Sequence, residues 1–68
     1  MSKQTVTLQD YQWEYYTIEE YKGSFTIEHW ENGTFSDTRK GSIGKTNNMK
    51  DALSLIRSHS GKEIGAIS

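Results

Sequence analysis

Residues 11–30 read YQWEYYTIEEYKGSFTIEHW, and this stretch decides the fold of the chain. Its aromatic and β-branched residues are typical of β-strands. Lys22 and Gly23 lie near its centre and indicate a two-residue turn, because glycine adopts a positive φ at little cost. The stretch therefore predicts a β-hairpin in which Tyr21 faces Ser24.

The predicted register sorts the hairpin side chains onto two faces, because alternate residues of a strand point to opposite sides of a sheet. One face is apolar and suited to a core; it holds Tyr16, Ile18, Phe25 and Ile27. The other face carries a second aromatic group, which comprises Tyr11, Trp13, Tyr15, Trp30 and Phe35. Phe35 joins this group because Asn32-Gly33 predicts a second tight turn, which would place Phe35 opposite Trp30.

A third strand at about 34–40 and a glycine- and serine-containing loop at 41–47 are predicted to follow the hairpin. A helix comes next, which Asn48 caps and Gly61 ends. Its apolar residues recur at helical spacing and share one face, formed by Met49, Ala52, Leu53 and Ile56.

These elements predict one small α+β domain at 11–68, preceded by a polar lead-in or an edge strand at 1–10. The expected architecture is a three-stranded antiparallel meander followed by one C-terminal helix that packs on one sheet face. Residues 63–68 leave open a short final strand. Since one helix covers only one face, we expect the second aromatic group to stay uncovered unless a terminal segment folds across it.

Composition excludes several classes of protein. The chain has no cysteine, so disulfides and thiolate zinc sites are excluded, and its two histidines are too few for a metal cage unless carboxylates complete it. No stretch approaches the roughly 20 apolar residues that span a membrane. Residues 1–9 are polar and do not resemble a signal peptide. We therefore expect a cytoplasmic protein without a cofactor, a metal or a membrane partner.

Catalytic motifs are incomplete in this sequence. Residues 41–46, GSIGKT, resemble the end of a phosphate-binding loop, but the full motif requires glycine where Arg39 stands. Glu19 and Glu20 are adjacent in a predicted strand and therefore point to opposite faces. His29 is predicted to face Tyr16 and to play a hydrogen-bonded structural role. These observations predict that the protein is not an enzyme.

The predicted function is a protein-interaction module, a small regulator or accessory protein, because exposed aromatic groups mark binding surfaces. Its predicted partner-binding residues are Trp13, Tyr15, Trp30 and Phe35. Homodimerisation through this face is one form of that function.

The alternative function is nucleic-acid binding, which pairs basic residues with stacking aromatics. Its candidate contacts lie in the basic 39–50 segment and are Arg39, Lys40, Lys45 and Lys50. The acidic residues of the predicted strands count against this alternative. Residues 1–37 are acidic and residues 38–68 basic, although the net charge is only −1.

Overall fold

A computed structural model describes residues 2–68; Met1, the first residue of the predicted lead-in, lies outside the described residues. Within 2–68 the chain forms five strands and one helix: β1 (Ser2–Leu8), β2 (Tyr11–Tyr21), β3 (Ser24–Glu31), β4 (Thr38–Thr46), α1 (Met49–Ser60) and β5 (Ile64–Ile67). The strands form one antiparallel sheet in the order β4-β3-β2-β1-β5. The predicted three-stranded meander is therefore wrong, because two further strands complete the sheet.

The β2–β3 hairpin has the register that the turn predicts. Tyr21 pairs with Ser24, and the pairing continues without a shift along both strands. Lys22 and Gly23 have φ values of 50° and 81°, and positive values at both turn residues match the twist of a tight hairpin. This part of the prediction is confirmed.

The N-terminal segment is an interior strand rather than a lead-in or an edge strand. β1 pairs with β2 on one side and with β5 on the other, where Val6 lies opposite Ile67. Val6 and Leu8 are buried as a result. The prediction fails because β5 reaches β1 only after the helix has crossed the sheet, which no local pattern near β1 reveals.

A bulge interrupts β2 next to its first turn. Thr7 pairs with Tyr15, but Leu8 pairs with Tyr11, so residues 12–14 have no one-to-one partners on β1. Such extra residues bend a strand and redirect its side chains. Tyr11 consequently packs against the core on the helix side, so its predicted place in the second aromatic group is wrong.

The third strand begins and ends later than predicted. β4 covers Thr38–Thr46, so most of the predicted 41–47 loop is strand. Gly44 has a packing role there, because a Cβ atom at this position would lie 2.7 Å from Cδ2 of Leu55 on α1. Glycine in a strand often marks such a close approach. Composition alone made Gly44 resemble a residue of the predicted 41–47 loop.

Asn32-Gly33 does not form the predicted two-residue turn. The backbone N–H of Asn32 donates to the Trp13 carbonyl at 2.9 Å, and the side chain of Asn32 donates to the Gln12 carbonyl. The N–H of Gly33 donates to Oδ1 of Asp37 at 3.1 Å. These bonds stabilise a longer loop, 32–37, because side-chain hydrogen bonds compete with the backbone pairing of a tight hairpin.

The helix has the predicted ends. Oδ1 of Asn48 accepts a hydrogen bond from the N–H of Asp51 at 2.8 Å. Gly61 has a φ of 71°, and its N–H donates to the Arg57 carbonyl at 2.9 Å. Both caps are confirmed, and each satisfies a backbone group that the helix itself leaves without a partner.

The core lies between α1 and one face of the sheet. Its buried members are Val6, Leu8, Tyr16, Ile18, Ile27, Ala52 and Ile56. Leu53, predicted to share the buried stripe, is only half-buried at the margin of this core. The helix therefore covers the apolar face of the hairpin.

Candidate functional site

The sheet face opposite α1, here called the open face, carries the side chains that alternate with those of the core. Its members are Lys3, Thr5, Thr7, Tyr15, Thr17, Glu19, Thr26, Glu28, Trp30, Arg39 and Lys45. β1 and β5 extend the sheet sideways and do not fold across it. No segment of residues 2–68 covers the open face, since α1 packs against the other side.

Tyr15 and Trp30 form the centre of the open face. Their rings are stacked, with centroids 6.1 Å apart and planes 8° from parallel. Nε1 of Trp30 donates to Oγ1 of Thr17 at 3.0 Å, and Thr17 is buried beneath the rings. Nζ of Lys3 lies 5.7 Å from the centre of the Trp30 ring. Trp30 therefore also stabilises the sheet, which makes it a less specific probe of binding than Trp13.

Trp13 is the exposed tryptophan of the site, with 67% of its surface accessible. It stands in the bulged part of β2 and lines a groove of about 730 Å³, which we call the bulge groove. The lining of this groove includes Thr5, Thr7, Asp10, Gln12, Trp13 and Tyr15. Sequence reasoning missed Asp10 and Gln12 as site residues, because the bulge that turns them toward the groove depends on the pairing with β1.

Phe35 does not lie in a strand opposite Trp30, as predicted. It lies in loop 32–37 and is 100% exposed. The hydroxyl of Tyr15 donates to Oδ2 of Asp37 at 2.6 Å and so ties this loop to the open face. Burial and the hydrogen bond to Asp37 together raise the pKa of Tyr15 to about 12. The loop thus presents Phe35 at the margin of the face.

The four basic residues of the 39–50 segment do not form one patch. Arg39 is engaged on the open face, where its Nε and Nη2 donate to Oε2 of Glu28 at 3.0 and 2.8 Å. This bond lowers the pKa of Glu28. Lys45 pairs with Thr26 and so lies on the same face, four residues along β3 or roughly 13 Å from Arg39. Lys50 lies in the first turn of α1.

Lys40 also lies apart from the others, because it is the residue skipped by a register shift in β4. Its positive charge contributes to a lowered pKa of Glu14, on the helix side of the sheet. The structure therefore places the predicted basic contacts in several directions.

A cluster of polar rings ties the C-terminal end of α1 to the sheet. His29 stacks on Tyr16 with ring centroids 4.8 Å apart, and its Nε2 is hydrogen-bonded to Oε1 of Glu14. The hydroxyl of Tyr16 and Nδ1 of His59 form a hydrogen bond of 2.7 Å. The hydroxyl of Tyr11 donates to Oε2 of Glu14 at 2.9 Å. These groups satisfy one another, as the predicted structural role of His29 requires.

The electrostatics of this ring cluster follow from its hydrogen bonds. The bond from His29 is the largest of the effects that lower the pKa of Glu14. Burial raises the pKa of Tyr16, and the charge of Glu14 adds to that effect. The predicted register placed Tyr16 opposite His29. It could not predict the contact between Tyr16 and His59, because His59 lies on α1.

Among residues 2–68 no group of three or more histidine, aspartate and glutamate side chains is placed to hold a metal ion. That same part of the chain contains no helix with the length and apolar character needed to span a membrane. Comparison with protein-family models, with curated proteins and with solved structures finds no match to this chain.

Proposed function

We propose that this protein is a non-enzymatic interaction module, a small regulator or accessory protein, that binds a partner protein through the open face. The observation that carries the proposal is an aromatic sheet face that no part of residues 2–68 covers. The stacked Tyr15 and Trp30 lie at its centre, and Trp13 and Phe35 extend it with exposed rings. Tryptophan and tyrosine are enriched among the residues that dominate binding energies.

The sheet edges support a face-directed rather than an edge-directed interaction. Edge strands attract other chains unless bulges, charges or shortness prevent pairing. β4 has two register shifts and carries three basic residues, Arg39, Lys40 and Lys45. β5, at the other edge, has only four residues. Both edges are therefore poor templates for an added strand, and the open face is the better surface.

The proposed absence of catalysis is supported by the use of the titratable groups. Glu14, His29, Tyr16 and His59 are hydrogen-bonded to one another between the sheet and the helix. A general base needs a free position within hydrogen-bond reach of a substrate proton. Here the bond between Tyr16 and His59 joins the sheet to α1, and the bond between Glu14 and His29 joins β2 to β3.

Homodimerisation through the open face remains a specific form of the proposal. Twofold self-association is the commonest form of oligomer, and Trp13 and Phe35 offer exposed rings to a second copy. Sedimentation equilibrium over a wide concentration range tests this form. A wild-type chain that stays monomeric would exclude it and leave binding to a different protein.

Nucleic-acid binding receives less support, because Arg39 already pairs with Glu28 and only Lys45 of the three lysines shares its face. Titration with short single- and double-stranded oligonucleotides at low ionic strength tests it directly, since phosphate contacts are strongest there. Binding that weakens steeply with salt would favour this alternative over the protein-interaction module.

The main experiment compares protein capture by wild type and three variants in lysate from the source cells, with quantification by mass spectrometry. Trp13→Ala and Phe35→Ala should each lose the captured partner, because both rings are exposed on or beside the open face. Arg57→Ala is the matched control, since Arg57 is an exposed long side chain on α1. Equal capture by all four proteins would contradict the proposed function.

A further inference from the structure

The bulge groove has the dimensions of a specific binding site. Its volume of about 730 Å³ falls within the roughly 300–1,000 Å³ of typical ligand pockets. It lies where residues 12–14 bulge out of β2. Thr5 and Thr7 of β1 provide hydroxyl groups, and Trp13 and Tyr15 provide rings.

The charge of the groove has one sign. Asp10 and Glu14 are among its lining residues, whereas no lysine or arginine of the described chain lines it. Two lysines lie beside lining residues without lining the groove themselves: Nζ of Lys62 lies 4.6 Å from the centre of the Tyr11 ring, and the charge of Lys40 helps to lower the pKa of Glu14. A ligand in the groove therefore meets negative charge and aromatic rings.

Asp10 supplies a carboxylate that the fold does not use. It adopts a φ of 57° in the turn between β1 and β2, a conformation that asparagine and glycine accept at least as well as aspartate. Glu14 is already bonded to His29 and Tyr11. Within residues 2–68, no hydrogen bond or ion pair engages the carboxylate of Asp10. The turn therefore explains the conformation at position 10 but not the charge.

We propose that the bulge groove binds a basic segment of a partner protein, with an arginine or lysine side chain lying against the Trp13 ring and its charge directed to Asp10. This inference rests on the proposed function and names the chemistry of the partner. Cations are attracted to the faces of aromatic rings, most strongly to tryptophan, and the arginine fork also matches a carboxylate. An acidic segment would instead meet like charge at Asp10.

The test uses two synthetic peptides of equal length, one alternating arginine and serine and the other alternating glutamate and serine. Each is titrated into isotopically labelled protein, and the two indole N–H signals report separately on Trp13 and Trp30. The arginine peptide should shift the Trp13 signal and the backbone signals of 10–15 before those of Trp30. Added salt should weaken its binding, because the contact with Asp10 is electrostatic.

Two variants separate the groove from the rest of the face. Asp10→Asn keeps the turn conformation and removes the charge, and it should weaken binding of the arginine peptide about fivefold. Glu19→Gln is the matched control, because Glu19 is an exposed carboxylate on the open face that does not line the groove. Glu19→Gln should leave the affinity unchanged.

The remaining outcomes overturn the inference in distinguishable ways. Equal binding of both peptides, or equal effects of Asp10→Asn and Glu19→Gln, would overturn the basic-segment assignment. A Trp13 signal that shifts with protein concentration alone would assign the groove to a second copy of this chain, which overturns the inference and preserves the interaction function. If neither peptide binds and Trp13→Ala captures partner proteins as well as wild type does, both the basic-segment inference and the proposed interaction function are overturned.

Discussion

Replacing Ile27 with alanine is expected to remove roughly 30% or more of the folding stability. Ile27 is fully buried between its strand partners Ile18 and Gly44. The substitution deletes the equivalent of three buried methyl or methylene groups, worth about 0.8 kcal/mol each. A cavity adds to this loss, and the paired strands on both sides limit its collapse, so we expect a total cost of about 3–4 kcal/mol.

This loss is large for a chain of 68 residues, whose total stability is expected to be roughly 3–10 kcal/mol. Urea unfolding followed by circular dichroism, with linear extrapolation to water, measures it. Thr26→Ala is the matched control, because the neighbouring side chain lies on the open face; it should cost less than about 1 kcal/mol. If Thr26→Ala costs as much as Ile27→Ala, the assignment of the core face is wrong.

Three further predictions concern electrostatics and capping. The bond to His29 is the largest of the effects that lower the pKa of Glu14 in the folded protein from its usual value of 4.5. The Glu14 carboxylate therefore stabilises the fold above pH 4.5, and this stabilisation is lost as the pH falls through the lowered folded pKa. Glu14→Gln should reduce the decrease in unfolding free energy at acid pH, which urea titrations at several pH values measure. Asp37→Asn should lower the pKa of Tyr15 below about 12, which ultraviolet titration of the phenol detects, whereas an unchanged value would show that the Asp37 bond is unimportant. Asn48→Ala should cost about 1 kcal/mol in thermal or urea unfolding, because it removes the helix cap; no loss would contradict that role.

Part of the candidate site follows from the sequence. Lys22-Gly23 sets the hairpin register, and the register brings Tyr15 beside Trp30. Phe35 was misplaced because loop 32–37 depends on the bond between Tyr15 and Asp37, whose residues are far apart along the chain. Asn32-Gly33 is a strong turn signal by itself, but these tertiary bonds override it.

The bulge groove was not predictable in the same way. Its shape depends on the shift between Thr7 and Leu8, where β1 pairs with β2. An alternating pattern of side chains contains no signal for such a shift, because the residues on either side still resemble strand residues. Asp10 therefore looked like part of a polar lead-in, although it lines the groove beside Trp13.

The sequence by itself determined the elements whose signals are local. Each of these signals acts on backbone groups only a few residues away, so a short stretch of sequence is enough to predict it. They are the turn at Lys22-Gly23 and the helix caps at Asn48 and Gly61. Only the tertiary structure decided that β1 lies inside the sheet, since its pairing with β5 joins the two ends of the chain. That pairing closes nearly the whole chain, and the entropy cost of so long a closure cannot be judged from neighbouring residues. It keeps both termini in the plane of the sheet, and so it leaves the aromatic rings of 11–35 on the open face uncovered within residues 2–68.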